Sequence, residues 1–581
     1  MALKTNPLTF LVWLMVLGLC FWKPIKAQNA NWNLLSHSSS DYNETGGKIT
    51  GDSKGNIYHA GSFTKAFSLN GNPFQGWGGV SSNGSYLSRL SANGTSQGNW
   101  TIILDGAINN LSTDNFDNLL FTIRTDGYAG HSTLNIGANF SIQLSPSLAS
   151  NEIVEILVKM DTLGNVLWAK RIAGRSNNSR DIMISSLITN SNGEIYLAGH
   201  VWDDFFNGID VDLVLDSLTV NIAGQEANFL AKANVNGNFI WAKAFGSKAS
   251  GSNSWEVSAA ANQYNEVFVQ SGCYSDTFFM DSLSFVSEGG LRYMAQFNSA
   301  GELQWLNADE GGSYAAASLI TNSTGAPINL LNLGASPLDT IKFSSDSMAI
   351  ASSGLVLLQY DRLGNLKFYK KYPLNDTANN IGTSLITQHG ADTYLVFTTN
   401  KTQTTLANTI LNNAGETDII ISKIDSLGYI SWAGIIGGNE NESIGGIYYS
   451  NSSGLNINAS TFSSQLNIGN QTLNNSIFYS SESFVAKLNS NGLHLEKDLE
   501  QEVYSFYPNP TRGLVYFSSM DMQSKIIKVS VQNSSGQKLI EKDIFSENGS
   551  GTIDFSLLRP GVYLIHLRDG KNEILRKIIK N

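Results

Sequence analysis

Seven glycines, Gly94, Gly164, Gly237, Gly301, Gly364, Gly428 and Gly492, recur at separations of 70, 73, 64, 63, 64 and 64 residues. Each sits in a copy of one pattern. Leu157-Val-Lys-Met-Asp-Thr-Leu-Gly-Asn-Val-Leu-Trp168 aligns with Leu230-Ala-Lys-Ala-Asn-Val-Asn-Gly-Asn-Phe-Ile-Trp241. The pattern returns over Met294 to Trp305, Leu357 to Phe368 and Ile421 to Trp432, more loosely before Trp100, and incompletely from Val485 to Leu495. A fixed period of this length marks a fold assembled from like supersecondary units, none of which buries its own apolar face alone.

Within each copy, apolar and polar residues alternate on both sides of an Asp/Asn-x-x-Gly-Asn turn. Alternation places one face of each strand in a core. Glycine supplies the positive φ that a tight hairpin needs, and the aromatic residue four positions later anchors the buried face. A second element follows, clearest in Asp52-Ser-Lys-Gly-Asn-Ile-Tyr58-His-Ala-Gly61 and Asn190-Ser-Asn-Gly-Glu-Ile-Tyr196-Leu-Ala-Gly199. A third short strand then tends to carry Phe, as at Phe63, Phe205 and Phe278. Four strands per unit without helical periodicity predict an all-β chain of propeller blades. The repeat-core anchors are Trp32, Trp100, Trp168, Trp241, Trp305, Phe368 and Trp432, seven in all. Trp32 lacks a preceding strand, and residues 484–495 supply a spare one. The expectation is a seven-bladed β-propeller over residues 28–497, closed by that late strand beside Trp32, which removes exposed sheet edges. Six or eight blades and an open β-solenoid are the competing architectures, because the second unit is irregular at Ser96-Gln97-Gly98.

The pair of patterns, K-x-D-x-x-G-N-x-x-W followed by D-x-x-G-N-x-Y-x-x-G, resembles the bacterial SBBP β-propeller repeats. Several copies depart from it, for instance Ile457 in the Tyr position and Gly325-Ala-Pro-Ile328.

The two ends differ from the middle. Residues 1–27 predict a signal peptide: Lys4, an apolar run from Leu8 to Trp22, and Ala27 before the cleavage point. The run is short of the ~20 residues that span a bilayer, so the mature chain is expected to have no transmembrane helix. A charged stretch ending in a linker at residues 498–502 precedes a module over 503–581. Its short alternating strands predict a small antiparallel β-sandwich. Prolines 508 and 510 end its first strand, since they fix φ and cannot donate. The module resembles the type A C-terminal sorting domain of type IX secretion cargo in Bacteroidetes. The matching residues are Tyr507, Pro508, Asn509, Pro510, Gly513, Gly536, Gly561, Tyr563, Lys577 and Lys580. The resemblance implies export through the periplasm, recognition by the type IX machinery, and release or attachment at the outer-membrane surface.

Residues 28–502 carry 23 basic and 41 acidic side chains, whereas residues 503–581 carry 11 and 7. So acidic a body repels phosphate backbones, which argues against nucleic acid as a partner. After processing, Cys273 is the only cysteine, so no internal disulfide forms. No P-loop, HExxH, G-x-S-x-G or C-x-x-C occurs. Asp203, Asp204, Asp210 and Asp212 form the densest acidic cluster, but without calcium-loop spacing. Asp309-Glu310, His59 and His200 are read as loop or core residues. No catalytic residue, cofactor or metal site is expected. The functional expectation is a non-catalytic secreted or cell-surface propeller binding a glycan or protein; the alternative is a polysaccharide hydrolase or lyase with carboxylates at the channel.

Overall fold

The computed structural model describes residues 32–581 except 41, 77–82, 93–98, 127–132, 144–152, 176–180, 203–210, 217, 223–225, 248–252, 255–256, 275–276, 287–290, 311–313, 334–339, 344–345, 350–353, 374–380, 391, 407–408, 451–453, 476–479, 489–503, 520–524, 534–536, 547–549 and 569–572. The expected signal peptide and linker, Gly94, Gly492, Gly536, Phe205, Asp203, Asp204 and Asp210 lie outside the described residues. Those described are strands and turns, with no helix among them. The chain divides into two compact units, residues 1–493 and 494–581.

Among the described residues, the larger unit shows seven sheets built on four antiparallel strands each, besides separate two-stranded hairpins. The first comprises Glu44–Gly51, Ile57–Thr64, Asn83–Leu90 and Trp100–Asp105; the second Ala107–Thr113, Leu119–Asp126, Ile153–Met160 and Val166–Arg175. The third takes Asp181–Thr189, Ile195–Trp202, Glu226–Ala233 and Phe239–Ser247; the fourth Ser258–Ala261, Val267–Tyr274, Leu291–Phe297 and Leu303–Glu310. The fifth takes Tyr314–Thr321, Pro327–Leu333, Gly354–Tyr360 and Leu366–Pro373; the sixth Ile381–His389, Asp392–Thr399, Asp418–Ile424 and Ile430–Ile436. In the seventh, Glu442–Ser450, Gly454–Thr461 and Glu482–Leu488 are completed by Trp32–Ser39 from the other end of the unit. Trp32 lies opposite Leu488 and His37 opposite Phe484. The first strands of successive sheets are spatial neighbours, and that of the seventh adjoins that of the first.

Each unit holds more than the four strands expected. Between its second and third strands runs a short hairpin. Phe67–Leu69, Thr133–Ile136, Val211–Leu215 and Thr277–Met280, the leading strands of four of these hairpins, pair with the last strand of the preceding sheet. Hairpins at Thr340–Ala349, Gln403–Asn412 and Gln465–Asn474 pair within themselves. Strands of three to five residues are too short to show a period, which is why the sequence reading merged them with their neighbours. Phe63 in fact lies in a second strand, Ile57–Thr64, and Phe278 sits in a hairpin.

The Asp/Asn-x-x-Gly turns have one geometry. Asp161 Oδ1 accepts the N–H groups of Leu163 and Asn165, each at 2.9 Å, while Gly164 N–H donates to the Asp161 carbonyl at 3.1 Å. A side-chain acceptor thus replaces backbone partners that a tight turn leaves unmet. Asp52, Asp114, Asn190, Asn234, Asn262, Asn298, Asn322, Asp361 and Asp425 do the same. These turns cluster at one end of the sheets: Ser53 Oγ donates to Asp117 of the next sheet's turn at 2.7 Å, and Gln263 Nε2 to Ser323 O at 3.2 Å.

The aromatic anchors do two jobs. Trp32 and Trp432 are buried, whereas Trp100, Trp168, Trp241, Trp305 and Phe368 are half-buried. The half-buried rings cover the glycine of the following sheet's turn. Trp100, Trp241 and Trp305 donate through Nε1 to the carbonyls of Thr162, Ser299 and Arg362 at 3.0, 3.2 and 2.9 Å. A Cβ on Gly301 would lie 2.9 Å from Trp241, at a φ of 82°. Gly301→Ala is therefore expected to lose about 1–3 kcal/mol in denaturant titrations through backbone strain and crowding together. Adding Trp241→Ala would relieve only the crowding.

The repeat lysine is a structural staple. Lys159 pairs with Asp114 at 2.7 Å inside its own sheet and donates to Val235 O of the next at 3.1 Å. Lys232 repeats this with Glu194 and Ser299 O, both at 2.9 Å. Burial makes such a pair costly to break from one side.

The smaller unit is two antiparallel sheets around a shared core. One comprises Tyr504–Tyr507, Leu514–Ser519 and Ser550–Asp554; the other is ordered Lys538–Ser546, Lys525–Asn533, Gly561–Arg568, Glu573–Lys580. Val515, Phe517, Ile527, Val529, Val531, Ile553, Phe555, Ile565 and Leu567 fill the space between.

Candidate functional site

In the smaller unit, two motif segments some 70 residues apart become one site. Tyr507–Pro508 and Asn509–Pro510 are both cis, and the chain turns there onto the edge of the last strand. Asn509 Oδ1 accepts Ile579 N–H at 2.9 Å, Thr511 N–H donates to Ile579 O at 2.8 Å, and Asn581 N–H donates to Thr511 O at 2.9 Å. Lys580 is buried and donates through Nζ to Arg512 O at 2.7 Å. Thr511 also braces the turn, its hydroxyl donating to Leu514 O at 2.8 Å. The segment clasps the C-terminal strand and satisfies edge groups that would otherwise face solvent.

The remaining motif residues have varied roles. Tyr507 is exposed and stacks on Tyr516, its cross-strand partner, with ring centroids 5.9 Å apart. Pro508 and Pro510 are exposed with it. Gly513 O accepts Phe555 N–H at 2.8 Å, tying the clasp to the other end of its sheet. Tyr563 is buried, and its hydroxyl donates to Arg559 O at 2.6 Å, fixing the Arg559-Pro-Gly561 corner. A Cβ at Gly561 would make only ordinary contacts, with Tyr563 and the Arg559 carbonyl at 3.8 to 4.0 Å, so nothing steric demands glycine there. Lys577 pairs through its backbone with Leu564.

Sequence reasoning missed the clasp. Asn509 and Ile579 share no local pattern, and only the fold joins them.

In the larger unit, His59 and Cys273 are buried and His200 is half-buried. His59 packs edge-on to Tyr86, and burial pushes its imidazole down to about 3. Burial likewise lowers His200 to about 4 and lifts the Cys273 thiol to about 12. These groups are neutral near pH 7, which suits packing. Asp309 and Glu310 end a strand opposite Arg292 and Leu291, in place of the loop expected for them. Asp212 lies on a strand opposite Arg175 and Asn221. Among the described residues, no three His, Cys, Asp or Glu are grouped to hold a metal ion.

A different set of carboxyls does converge. Asp418, Glu442, Glu482 and Glu44 begin strands of the sixth, seventh and first sheets, and all are at most 5% exposed. Burial raises Glu44 to about 8 and Asp418 and Glu482 to about 7, and holds Glu442 above the ordinary carboxyl range. Exposed apolar side chains lie at the turn end instead: Phe116, Leu163, Tyr264, Leu363, Leu427 and Tyr429.

Residues 505–581 match the family model of the secretion system C-terminal sorting domain. The module is a C-terminal sorting domain, and its presence implies export of the chain by the type IX secretion system to the cell surface or beyond. No curated protein matches the chain. Two solved structures are similar in outline: a glycoside hydrolase family 32 β-fructofuranosidase of Bombyx mori and a family 32 glycoside hydrolase from Bifidobacterium adolescentis. The first is 8% identical with a TM-score of 0.23, covering 94% of this chain and 89% of its own. The second is 10% identical with a TM-score of 0.22, covering 93% and 80%. Likeness at that level says nothing about activity. Among the described residues no helix is long and apolar enough to cross a membrane.

Proposed function

We propose that the larger unit is a closed seven-bladed propeller of SBBP-like repeats, led out by a signal peptide at residues 1–27, and that it serves at the cell surface as a non-catalytic binder of a glycan or protein. Support for the ring comes from the pairing of Trp32–Ser39 with Glu482–Leu488 and from the cyclic succession of first strands. The observation that carries the binding reading is the distribution of side chains. The convergent carboxyls are walled off from solvent, so they cannot reach a glycosidic bond, whereas the turn end presents aromatic and aliphatic tips to solvent. Exposed aromatic rings beside polar turns are the usual contact residues of glycan and protein partners. The purified mature chain, screened on a polysaccharide and surface-protein panel, is expected to retain a partner without releasing product. Release of oligosaccharide from any panel member would favour the hydrolase or lyase reading instead.

A further inference from the structure

The carboxyls at the sheet starts form two pairs in the same structural position. Asp418 opens the third strand of the sixth sheet, and Glu442 opens the first strand of the seventh. Glu482 opens the third strand of the seventh, and Glu44 the first strand of the first. Each junction is bridged the same way. Glu442 N–H donates to Thr417 O, the residue before Asp418, at 2.7 Å; Glu44 N–H donates to Ser481 O, the residue before Glu482, at 2.9 Å. The pairs are also linked sideways, because Glu442 and Glu482 flank Thr461 in register.

The surroundings supply hydrogen-bond donors to these acids. Thr461 Oγ1, Ser463 Oγ and Gly438 N–H donate to Glu442 at 2.7, 2.6 and 2.8 Å. Ala414 N–H donates to Asp418 at 2.7 Å, and Ser40 Oγ to Glu44 at 2.6 Å. Asp418 Oδ1 and Glu44 Oε2 are buried with no acceptor role filled. The charged neighbours are Glu416 and Glu440 on the segments leading into the first pair. Lys401 lies two residues past Thr399, the register partner of Asp418, and Lys65 has its ammonium 4.0 Å above the Tyr42 ring. Tyr86 and His59 pack on the Glu44 side, both neutral at pH 7. Asp418 and Glu442 are thus set against one another in a dry junction, and at the other junction burial acts on both acids with a smaller repulsion of Glu482 on Glu44, so that ionisation is costly at each.

We propose that these two junctions are proton-locked, held closed while the paired carboxyls share protons and loosened by mutual repulsion when they ionise. The junctions flank the seventh sheet, in which the two ends of the unit meet, so loosening them frees the closing strands before the rest.

The sign follows from linkage. These groups sit above their unfolded values of about 4, so the folded state binds more protons than the unfolded one. Their contribution is fully present below about pH 4 and is lost as pH rises towards the folded values near 7 to 8. Hydrogen exchange by mass spectrometry on the full mature chain tests this between pH 6 and 9. Peptides covering 442–450, 482–488 and 44–51 are expected to lose at least tenfold in protection relative to strands of the fourth and fifth sheets in the same sample, which cancels the intrinsic pH dependence of exchange. Asp418→Asn with Glu482→Gln, neutral mimics of the protonated acids, should reduce that difference, with Glu442 and Glu44 left to titrate. Uniform protection across all sheets at both pH values would overturn the proposal. So would a difference left undiminished in the double variant. If that variant fails to fold, Glu482→Gln alone should still reduce the difference, and an unchanged difference there counts equally against it.

Discussion

A chain lacking residues 505–581 is expected to accumulate in the periplasm, with surface and culture-medium forms reduced to background. Fractionation followed by immunoblotting would show it, and surface display of the truncated chain would contradict the sorting role. The clasp makes a finer version possible. Removing only Ile579, Lys580 and Asn581 takes away the partners of Asn509, Thr511 and Arg512 together. Each lost backbone or charge-assisted bond is worth about 0.5–3 kcal/mol, enough in sum to undo a unit of fewer than 90 residues with a small core. The three-residue truncation should therefore resemble the full deletion. Asn509→Ala, which removes one acceptor, should reduce export only partly.

The second large effect concerns the strand that completes the seventh sheet. Deleting residues 32–40 from the mature chain should cost several kcal/mol, because buried Trp32 is lost along with a whole ladder against Glu482–Leu488. It also exposes the edge of a long strand, an invitation to aggregate. Lower soluble yield and an earlier, broader unfolding transition are expected. Supplying residues 32–40 as a separate peptide should restore part of the loss. An unchanged melting profile would mean that the late strand does not depend on the early one.

The regular parts of this fold were legible in the residues themselves. The Asp/Asn-x-x-Gly turns announce their own geometry, because side-chain acceptor and left-handed glycine are three residues apart. Even there, Asp117 and Asn265 take positive φ without glycine, so those two turns lack the residue by which the others are recognised. The spare strand at residues 484–495 pointed to its partner because it repeated half of a hairpin whose other half stood at Trp32. What remained hidden depends on distance. Nothing near Lys159 foretells Val235, and Glu44 and Glu482 lie at opposite ends of the unit. The half-buried state of Trp241 was likewise invisible, since covering a neighbour's turn leaves the same sequence mark as filling a core.

The register partners Trp32 and Leu488 carry one further consequence. Entry and exit of the larger unit stand side by side on adjacent antiparallel strands, so a short turn could join them without moving either. The unit is thus a natural subject for circular permutation, with new ends opened at any Asp/Asn-x-x-Gly turn. Its order of assembly, early strand waiting for late, would then be a choice of where the gene begins.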